Sequence, residues 1–394
     1  MKISVFLDRF RPLHEDRDPG QIPLGLLEIG TRADVITVSK IDLANYTPEF
    51  CLIQKTLNEL ETEQFWSKCD SDVILAYTWL SPPYTSLVEK MKLGGKKILI
   101  KSDSNGRVGY PFQPDYLRPP LLERLTIRDI VRNVGWRLPF KFLHSKSTMQ
   151  IIKQIELSDG VIAESPDALS NLNYFLTTWG RQDLIKKTYF VPDPVTPDFI
   201  DAEIGTKENI VVSYGRWDDF RQKNTAVMVE TIVKFLEERP DYTSIIFGTG
   251  KGMIQNLTKN IFKDIADRMR VLGFVERDRI KQILSSARMF FIPSRWESFG
   301  LAAGESLCMG CSVVATPVES LRYLTMQGFS GTVSSTFSKN ALLAALIQDS
   351  TKWENGYYEP DKIATFWRAK LNRKSVARSI DSLASGRVKQ LGRP

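Results

Sequence analysis

The sequence predicts an α/β protein made of two Rossmann-like, doubly wound parallel-sheet domains facing each other across a cleft. Three observations carry this expectation. Short apolar runs alternate with helical periods along both halves of the chain, the rhythm restarts after a proline-rich break, and 394 residues are more than one ordinary core holds.

In the first half the runs Ile3 to Leu7, Asp34 to Val38, Val73 to Tyr77, Lys97 to Lys101, Gly160 to Ala163 and Thr188 to Val191 read as buried strands, most of them separated by amphipathic segments. Pro192-Asp193-Pro194-Val195-Thr196-Pro197-Asp198 then interrupts both patterns, because each proline lacks an amide hydrogen and restricts its neighbour. Residues 192–208 are expected to link the domains. The second half resumes with strands at Ile210 to Tyr214, Ser244 to Phe247, Met269 to Leu272, Met289 to Ile292 and Ser312 to Ala315. Helices are expected at Asn224 to Arg239, stopped by Pro240, and at Arg277 to Ala287. This gives an N-terminal domain over 1–198, a C-terminal domain over 205–363, and a helical tail, 364–394, packing back on the first domain. In such sheets ligands bind beyond the carboxyl ends of the strands.

Composition bounds the class. The chain is 42% hydrophobic and 25% charged, ordinary for a globular protein. No apolar run approaches the roughly 18 residues a membrane-spanning helix needs, and Met1 to Asp8 is too short and too charged to be a signal peptide. The net charge is +7, and much of the basicity lies in 117–147, where Arg118, Arg124, Arg128, Arg132, Arg137, Lys141 and Lys146 face only Glu123 and Asp129. Apolar residues interleave these cations, a pattern that suits an anionic membrane surface or, equally, a solvated helical face. No nucleic-acid module appears, so no nucleic-acid partner is expected. Four cysteines in so long a chain point to a reducing, cytoplasmic location, peripheral on a membrane's inner face if the basic stretch binds lipid. Cys308 and Cys311 form a C-x-x-C with no second pair to complete a metal site, so they read as packing residues.

The most informative segment is Glu297-Ser298-Phe299-Gly300-Leu301-Ala302-Ala303-Gly304-Glu305. It lies between two strand-like runs and turns through Gly300 into a helical pattern, which leaves backbone amides free at a helix N-terminus, where phosphate is attracted. A carboxylate on each side of that turn can grip hydroxyls of a sugar and a ribose. Gly215-Arg216, ending one strand, and Lys223-Asn224, preceding a helix, add a planar cation and a point cation on one loop. Taken alone, an Arg and a Lys in a polar loop are surface charges far more often than ligands; the Glu297 turn in the same half is what favours a ligand. Gly248-Thr249-Gly250 permits close backbone approach or simply a turn, and Leu272-Gly273-Phe274-Val275 offers backbone contacts to a nucleobase or plain packing.

Taken in order over 209–335, these pieces, with Pro293-Ser294, Gly310 and Val313-Val314-Ala315-Thr316, resemble the donor-binding domain of retaining glycosyltransferases of the GT-B fold, family 4 type (glycosyl transferases group 1). Val161-Ile162-Ala163-Glu164-Ser165 and Val191-Pro192-Asp193 resemble the end of that family's acceptor domain. The resemblance implies that Arg216 and Lys223 bind the diphosphate, Glu305 holds the ribose, Glu297 contacts the donor sugar, and the amides of Ser298 to Leu301 reach sugar hydroxyls or phosphate. Gly215, Gly248, Gly250 and Phe274 complete the donor site. It implies a nucleotide-sugar substrate, a glycan or lipid-linked acceptor, and neither metal nor other cofactor.

The first half departs from the family. The region Asp8 to Gly25, where a glycine-rich turn is usual, is long and polar, with Gly20 its candidate close-approach residue. The chain has only His14 and His144, and the place of the family's sugar-contacting histidine is held by Lys101-Ser102-Asp103-Ser104-Asn105-Gly106. Asp103, as a weak base orienting the acceptor hydroxyl, or Asn105 is expected to take over. Asp16-Arg17-Asp18 and Asp70-Ser71-Asp72 follow no suitable apolar strand and read as surface acids. The expected activity is sugar transfer from a nucleotide-sugar to a glycan, glycolipid or lipid-linked acceptor. An epimerase of the same architecture and a non-catalytic nucleotide-sugar-binding protein are the alternatives.

Overall fold

The computed structural model of the protein describes residues 1–41, 45–112 and 145–387. The described chain divides into two compact units, residues 1–194 with 373–394, and residues 195–372.

The first unit is built on a seven-stranded sheet of β1 (Lys2–Phe6), β2 (Arg32–Thr37), β3 (Cys51–Gln54), β4 (Val73–Tyr77), β5 (Lys97–Lys101), β6 (Gly160–Ala163) and β7 (Thr188–Phe190). The strands lie in the order β3-β2-β1-β4-β5-β6-β7 and every neighbouring pair is parallel. Alternate side chains of each strand feed different cores. Ile3, Val5, Val73 and Leu75 pack on one face, while Phe6, Ile74, Ala76, Ile98 and Ile100 pack on the other. That is why these runs carry no polar alternation: both faces are covered. The helix Asp18–Glu28 covers the first face together with Arg373–Ala384 from the end of the chain. They meet closely because Gly25 has no side chain; a Cβ there would lie 2.4 Å from the Arg373 carbonyl oxygen.

The second unit carries six parallel strands, β8 (Glu208–Arg216), β9 (Thr243–Thr249), β10 (Met269–Gly273), β11 (Ala287–Ile292), β12 (Ser312–Ala315) and β13 (Gly331–Val333), in the order β10-β9-β8-β11-β12-β13. Its helices include Thr225–Glu238, Arg277–Ser286, Leu301–Cys308, Lys339–Glu354 and Pro360–Leu371. Their apolar stripes close one core around Val211, Ile246, Phe290 and Val314.

Two parallel α/β domains are therefore present, as expected. In each sheet the strand order reverses once, between β1 and β4 in the first and between β8 and β11 in the second. At such a point adjacent loops run to opposite sides and leave a crevice. The structure differs from expectation in three places. β3 and β13 lie at sheet edges; β3 is only half-buried and β13 is three residues long, Gly-Thr-Val, so neither forms an apolar run. Pro197 does not stand outside regular structure but heads a one-turn helix, Pro197–Ile200, where a missing amide hydrogen costs nothing. The segment from Asp8 to Gly25, expected as a long polar region, ends in the helix Asp18–Glu28, whose first nine residues are buried despite Pro19, Gly20 and Pro23. Apart from its last residues, 145–147, the basic stretch 117–147 lies outside the described residues, as does His144.

Gly248 offers a test of how tightly β8 and β9 are joined. It has φ +120°, and a Cβ would lie 1.9 Å from the Gly215 carbonyl oxygen, whereas Gly30 has φ +82° with open space around it. Gly30→Ala is expected to cost about 1–2 kcal/mol, the price of a left-handed residue, and Gly248→Ala clearly more, as read from urea midpoints. Equal costs would contradict the close approach.

Candidate functional site

The reversal point of the second sheet brings together the ends of β8 and β11. Beyond them, the loop 217–224 and the loop 293–297 are laced by hydrogen bonds. The Arg295 amide donates to the Gln222 carbonyl at 2.7 Å, Gln222 Nε2 donates to the Trp296 carbonyl at 3.1 Å, and Arg295 Nε donates to Asn224 Oδ1 at 3.3 Å. Asn224 takes a left-handed conformation, φ 54°, immediately before the helix Thr225–Glu238. This lacing sets Lys223 Nζ 2.6 Å from Glu297 Oε1. The side chains are only 15% and 9% exposed, so each charge depends on the other. The Lys223 stem passes over Gly215, close to where a Cβ would stand.

The second carboxylate is placed by a different device. Gly300, φ +95°, turns the chain into the helix Leu301–Cys308, with the Phe299 ring fully buried beneath the turn. One turn further on, Glu305 Oε2 accepts a hydrogen bond from the Tyr214 hydroxyl. The same hydroxyl lies 3.1 Å from the Ala302 carbonyl. Tyr214 is held by stacking on Phe247, with ring centroids 4.7 Å apart. Burial, and then the charge of Glu305, push its hydroxyl well above the ordinary range, so it remains a donor. Ser298 and Leu301 flank the turn and are half-buried.

Other expected residues stand differently. Arg216 ends β8 with its side chain 60% exposed and paired to Asp219 at 3.4 Å. Gly248 and Gly250 shape the loop that carries Arg216: added Cβ atoms would strike Gly215 and the Asp218 amide, the latter at 2.7 Å. Phe274 projects into solvent, 76% exposed. Cys308 and Cys311 are free thiols, both buried.

In the first unit, β5 ends in the fully buried Lys101. Its Nζ lies 2.7 Å from Glu164 Oε1 and 2.6 Å from Asp193 Oδ1. Burial opposes the ammonium charge, but Asp193 and Glu164 hold it well above its usual range. Glu164 also accepts from the Asp103 amide at 2.7 Å, the Ser104 amide at 3.2 Å and the Ser102 hydroxyl at 3.0 Å. The turn 101–106 is thus pinned from below. Asp103, at φ 39°, accepts from Trp79 Nε1 at 3.0 Å, and Trp79 is itself at φ 52°. Asn105 Oδ1 accepts from the Arg107 amide at 3.3 Å, while its carbonyl accepts from Asn171 Nδ2 at 3.0 Å. Gly20 approaches its own chain: a Cβ would lie 2.3 Å from Glu15 Cα.

Asp18 corrects the reading of Asp16-Arg17-Asp18 as surface acids. It is 7% exposed and accepts from the Tyr77 hydroxyl at 2.6 Å. Burial, then the neighbouring Asp103, push its carboxyl up to about 7. The sequence reading also passed over Tyr214 and treated Lys101 only as part of a turn. A lysine closing an apolar strand, with Glu164 and Asp193 closing the next two, was the available signal for the latter.

Three comparisons bear on these sites. Residues 196–356 match the sequence model of the glycosyl transferases group 1 family. The chain is 28% identical over 162 residues to the uncharacterized glycosyltransferase YqgM of Bacillus subtilis, covering 41% of this chain and 45% of that protein. It is 32% identical over 112 residues to the lipopolysaccharide core biosynthesis mannosyltransferase LpsB of Rhizobium meliloti, covering 27% and 31%. The chain thus spans less than half the length of these relatives. Its fold is similar to that of Anabaena HepE in complex with UDP, with TM-score 0.67, 14% identity, and coverage of 98% of this chain and 100% of that one.

Asp18 yields a pH dependence with a definite sign. Its carboxyl titrates near 3.8 in an unfolded chain and near 7 in the native one, so the native state keeps a proton the unfolded state has lost. The stability it contributes is complete below the lower value and is lost as pH rises through the upper one, by at most about 1.4 kcal/mol per pH unit. Asp18→Asn is expected to raise the urea midpoint at pH 8 and to shrink the difference between pH 5 and pH 8. An unchanged difference would contradict the assignment.

Proposed function

We propose that the chain is a retaining glycosyltransferase, moving a hexose from a nucleotide-sugar to a hydroxyl of a glycan, glycolipid or lipid-linked acceptor. The second unit holds the donor and the first holds the acceptor. The observation that carries this reading is the pairing of Lys223 with Glu297 at the reversal point of a parallel sheet, with Glu305 one turn into the adjacent helix. That LpsB is a mannosyltransferase and that HepE binds UDP support the choice of donor class.

The roles follow from charge and reach. Lys223 and the exposed Arg216 meet the diphosphate, the first as a point charge and the second as a planar fork. The amides that open the helix after Gly300 add their dipole to the same anion. Glu305, oriented by Tyr214, takes the ribose hydroxyls. Glu297, partly neutralised by Lys223, faces the sugar where positive charge develops as the bond from C1 to the phosphate oxygen breaks. The nucleoside diphosphate departs with the electron pair, the acceptor oxygen bonds to C1, and its proton passes to a base, for which Asp103 is the candidate in the first unit. Fixed charges aimed at developing charge need no reorganisation during the step.

Glu305→Ala is expected to weaken nucleoside diphosphate binding about tenfold or more, as loss of a charge-assisted hydrogen-bonding group does. Glu297→Gln is expected to lower donor turnover by about a hundredfold or more without weakening nucleotide binding, since it frees the Lys223 charge for the diphosphate. Calorimetry and product analysis separate these effects. Conversion of the donor sugar without any acceptor would establish an epimerase instead, and binding without turnover a non-catalytic receptor.

Peripheral attachment at the cytoplasmic face of a membrane through 117–147 belongs to the same proposal. No helix among the described residues is long and apolar enough to cross a membrane. The chain is expected to float with vesicles containing anionic phospholipid and to remain behind with neutral ones. Equal behaviour with both would remove this part.

A further inference from the structure

The reversal point of the first sheet, between β1 and β4, opens into a cavity of about 310 Å³ lined by three arginines and three carboxylates, Arg9, Arg11, Arg17, Asp8, Asp18 and Asp103. The two kinds of charge are separated. The carboxylates form the floor and are served by neutral donors, namely Tyr84 to Asp8 at 2.7 Å, Tyr77 to Asp18 at 2.6 Å and Trp79 to Asp103 at 3.0 Å. The arginines stand on the exposed loop that follows β1, and none of the three is in an ion pair among the described residues. Three guanidinium groups beside three carboxylates would ordinarily pair with them. Here they are held apart, leaving the cations available to a ligand.

Two further features favour an anion. The helix Asp18–Glu28 points its N-terminus at the cavity, where Asp18 and Pro19 line the wall, and its dipole attracts negative charge. His14, on the same wall, is pushed below the usual imidazole range first by burial and then by the charges of Arg17 and Arg11, with Asp103 and Asp8 opposing them. The floor is also strained where it meets the ligand space. Trp79 and Asp103 both have positive φ and are joined by a hydrogen bond. Such strain is kept where a site needs it.

We propose that this cavity binds the acceptor through an anionic group, a phosphate or carboxylate held by Arg9, Arg11 and Arg17, with sugar hydroxyls directed to Asp18 and Asp103. The acceptor is then a phosphorylated or otherwise acidic sugar. Guanidinium forks match phosphate and carboxylate oxygens in pairs, and carboxylates lining a cavity can accept from sugar hydroxyls. This inference rests on the glycosyltransferase reading for the word acceptor, though not for the anion site itself.

The test is calorimetric titration of the full chain, first with UDP, GDP and ADP, and then, with whichever binds kept saturating, with glucose 6-phosphate and with glucose. Glucose 6-phosphate is expected to bind at least about tenfold more tightly than glucose, an increment within the range of charge-assisted bonding. Arg11→Ala combined with Arg17→Ala is expected to remove that preference while leaving nucleotide affinity within about twofold. The paired Arg→Lys variant, which keeps the charge but not the fork, is expected to restore part of it. Thermal midpoints check that each variant is folded; both arginines are exposed. No binding of glucose 6-phosphate, equal binding of the two sugars, or an unchanged preference in the Ala variant overturns the proposal. Loss of nucleotide affinity in the Ala variant also overturns it, because the arginines would then serve the donor. Failure of every nucleoside diphosphate to bind the unaltered chain would refute the donor assignment alone, since the sugar-phosphate comparison is read separately.

Discussion

A carboxylate cannot stay charged inside a protein without a partner, and Glu297 has one. Its ion pair with Lys223, at 2.6 Å, crosses from the loop after β11 to the loop after β8. Breaking such a buried pair by removing one member costs about 3–5 kcal/mol, because the survivor is left uncompensated. The pair therefore does two things at once. It fastens the loops on either side of the sheet's reversal point, with help from the Arg295–Gln222 and Gln222–Trp296 hydrogen bonds. It also stores a cation and an anion side by side where a charged ligand can separate them. In the proposed reaction, diphosphate takes the ammonium and positive charge developing on the sugar takes the carboxylate.

The first unit solves the same problem with different residues. Lys101 is buried at the end of β5 and is neutralised from the ends of the next two strands by Glu164 and Asp193. The remaining capacity of Glu164 is spent on the amides of Asp103 and Ser104. A turn that would be mobile on the surface is thereby fixed, and Asp103 is presented toward the cavity in a left-handed conformation. Asp18, beside it, stays largely protonated at mildly acidic pH because too many acids share too little solvent. The second unit thus holds the carboxylate at its reversal point with a charge from the loop after the neighbouring strand, whereas the acids at the first unit's reversal point are held by the neutral donors Tyr84, Tyr77 and Trp79.

Much of this was legible in the sequence, for physical reasons that differ by element. Central strands such as Val73–Tyr77 and Lys97–Lys101 are covered on both faces, so they stand out as apolar runs. The edge strands escape notice for different reasons: β3 is half-exposed, and β13, although buried, is only Gly-Thr-Val and leaves no apolar run. Glu297, Gly300 and Glu305 could be found because a strand, turn and helix follow one another without interruption. Tyr214 could not, since its role depends on an alignment of β8 with a helix 88 residues further on. Asp18 was misread because no apolar strand directly precedes it, whereas its burial comes from the helix it opens and from Tyr77 on a distant strand. The helix there tolerates Pro19 in its first turn and uses Gly20 for close contact with Glu15.

The central claim is that the carboxyl end of the second sheet is an anion cradle built on Lys223 and Glu297. A crystal structure of the chain with a bound nucleoside diphosphate tests it most directly. Phosphate oxygens are expected within hydrogen-bond distance of Lys223 Nζ and the Arg216 guanidinium, and ribose hydroxyls on the Glu305 carboxylate. Nucleotide bound elsewhere on the chain, with the Lys223–Glu297 pair untouched, would contradict it.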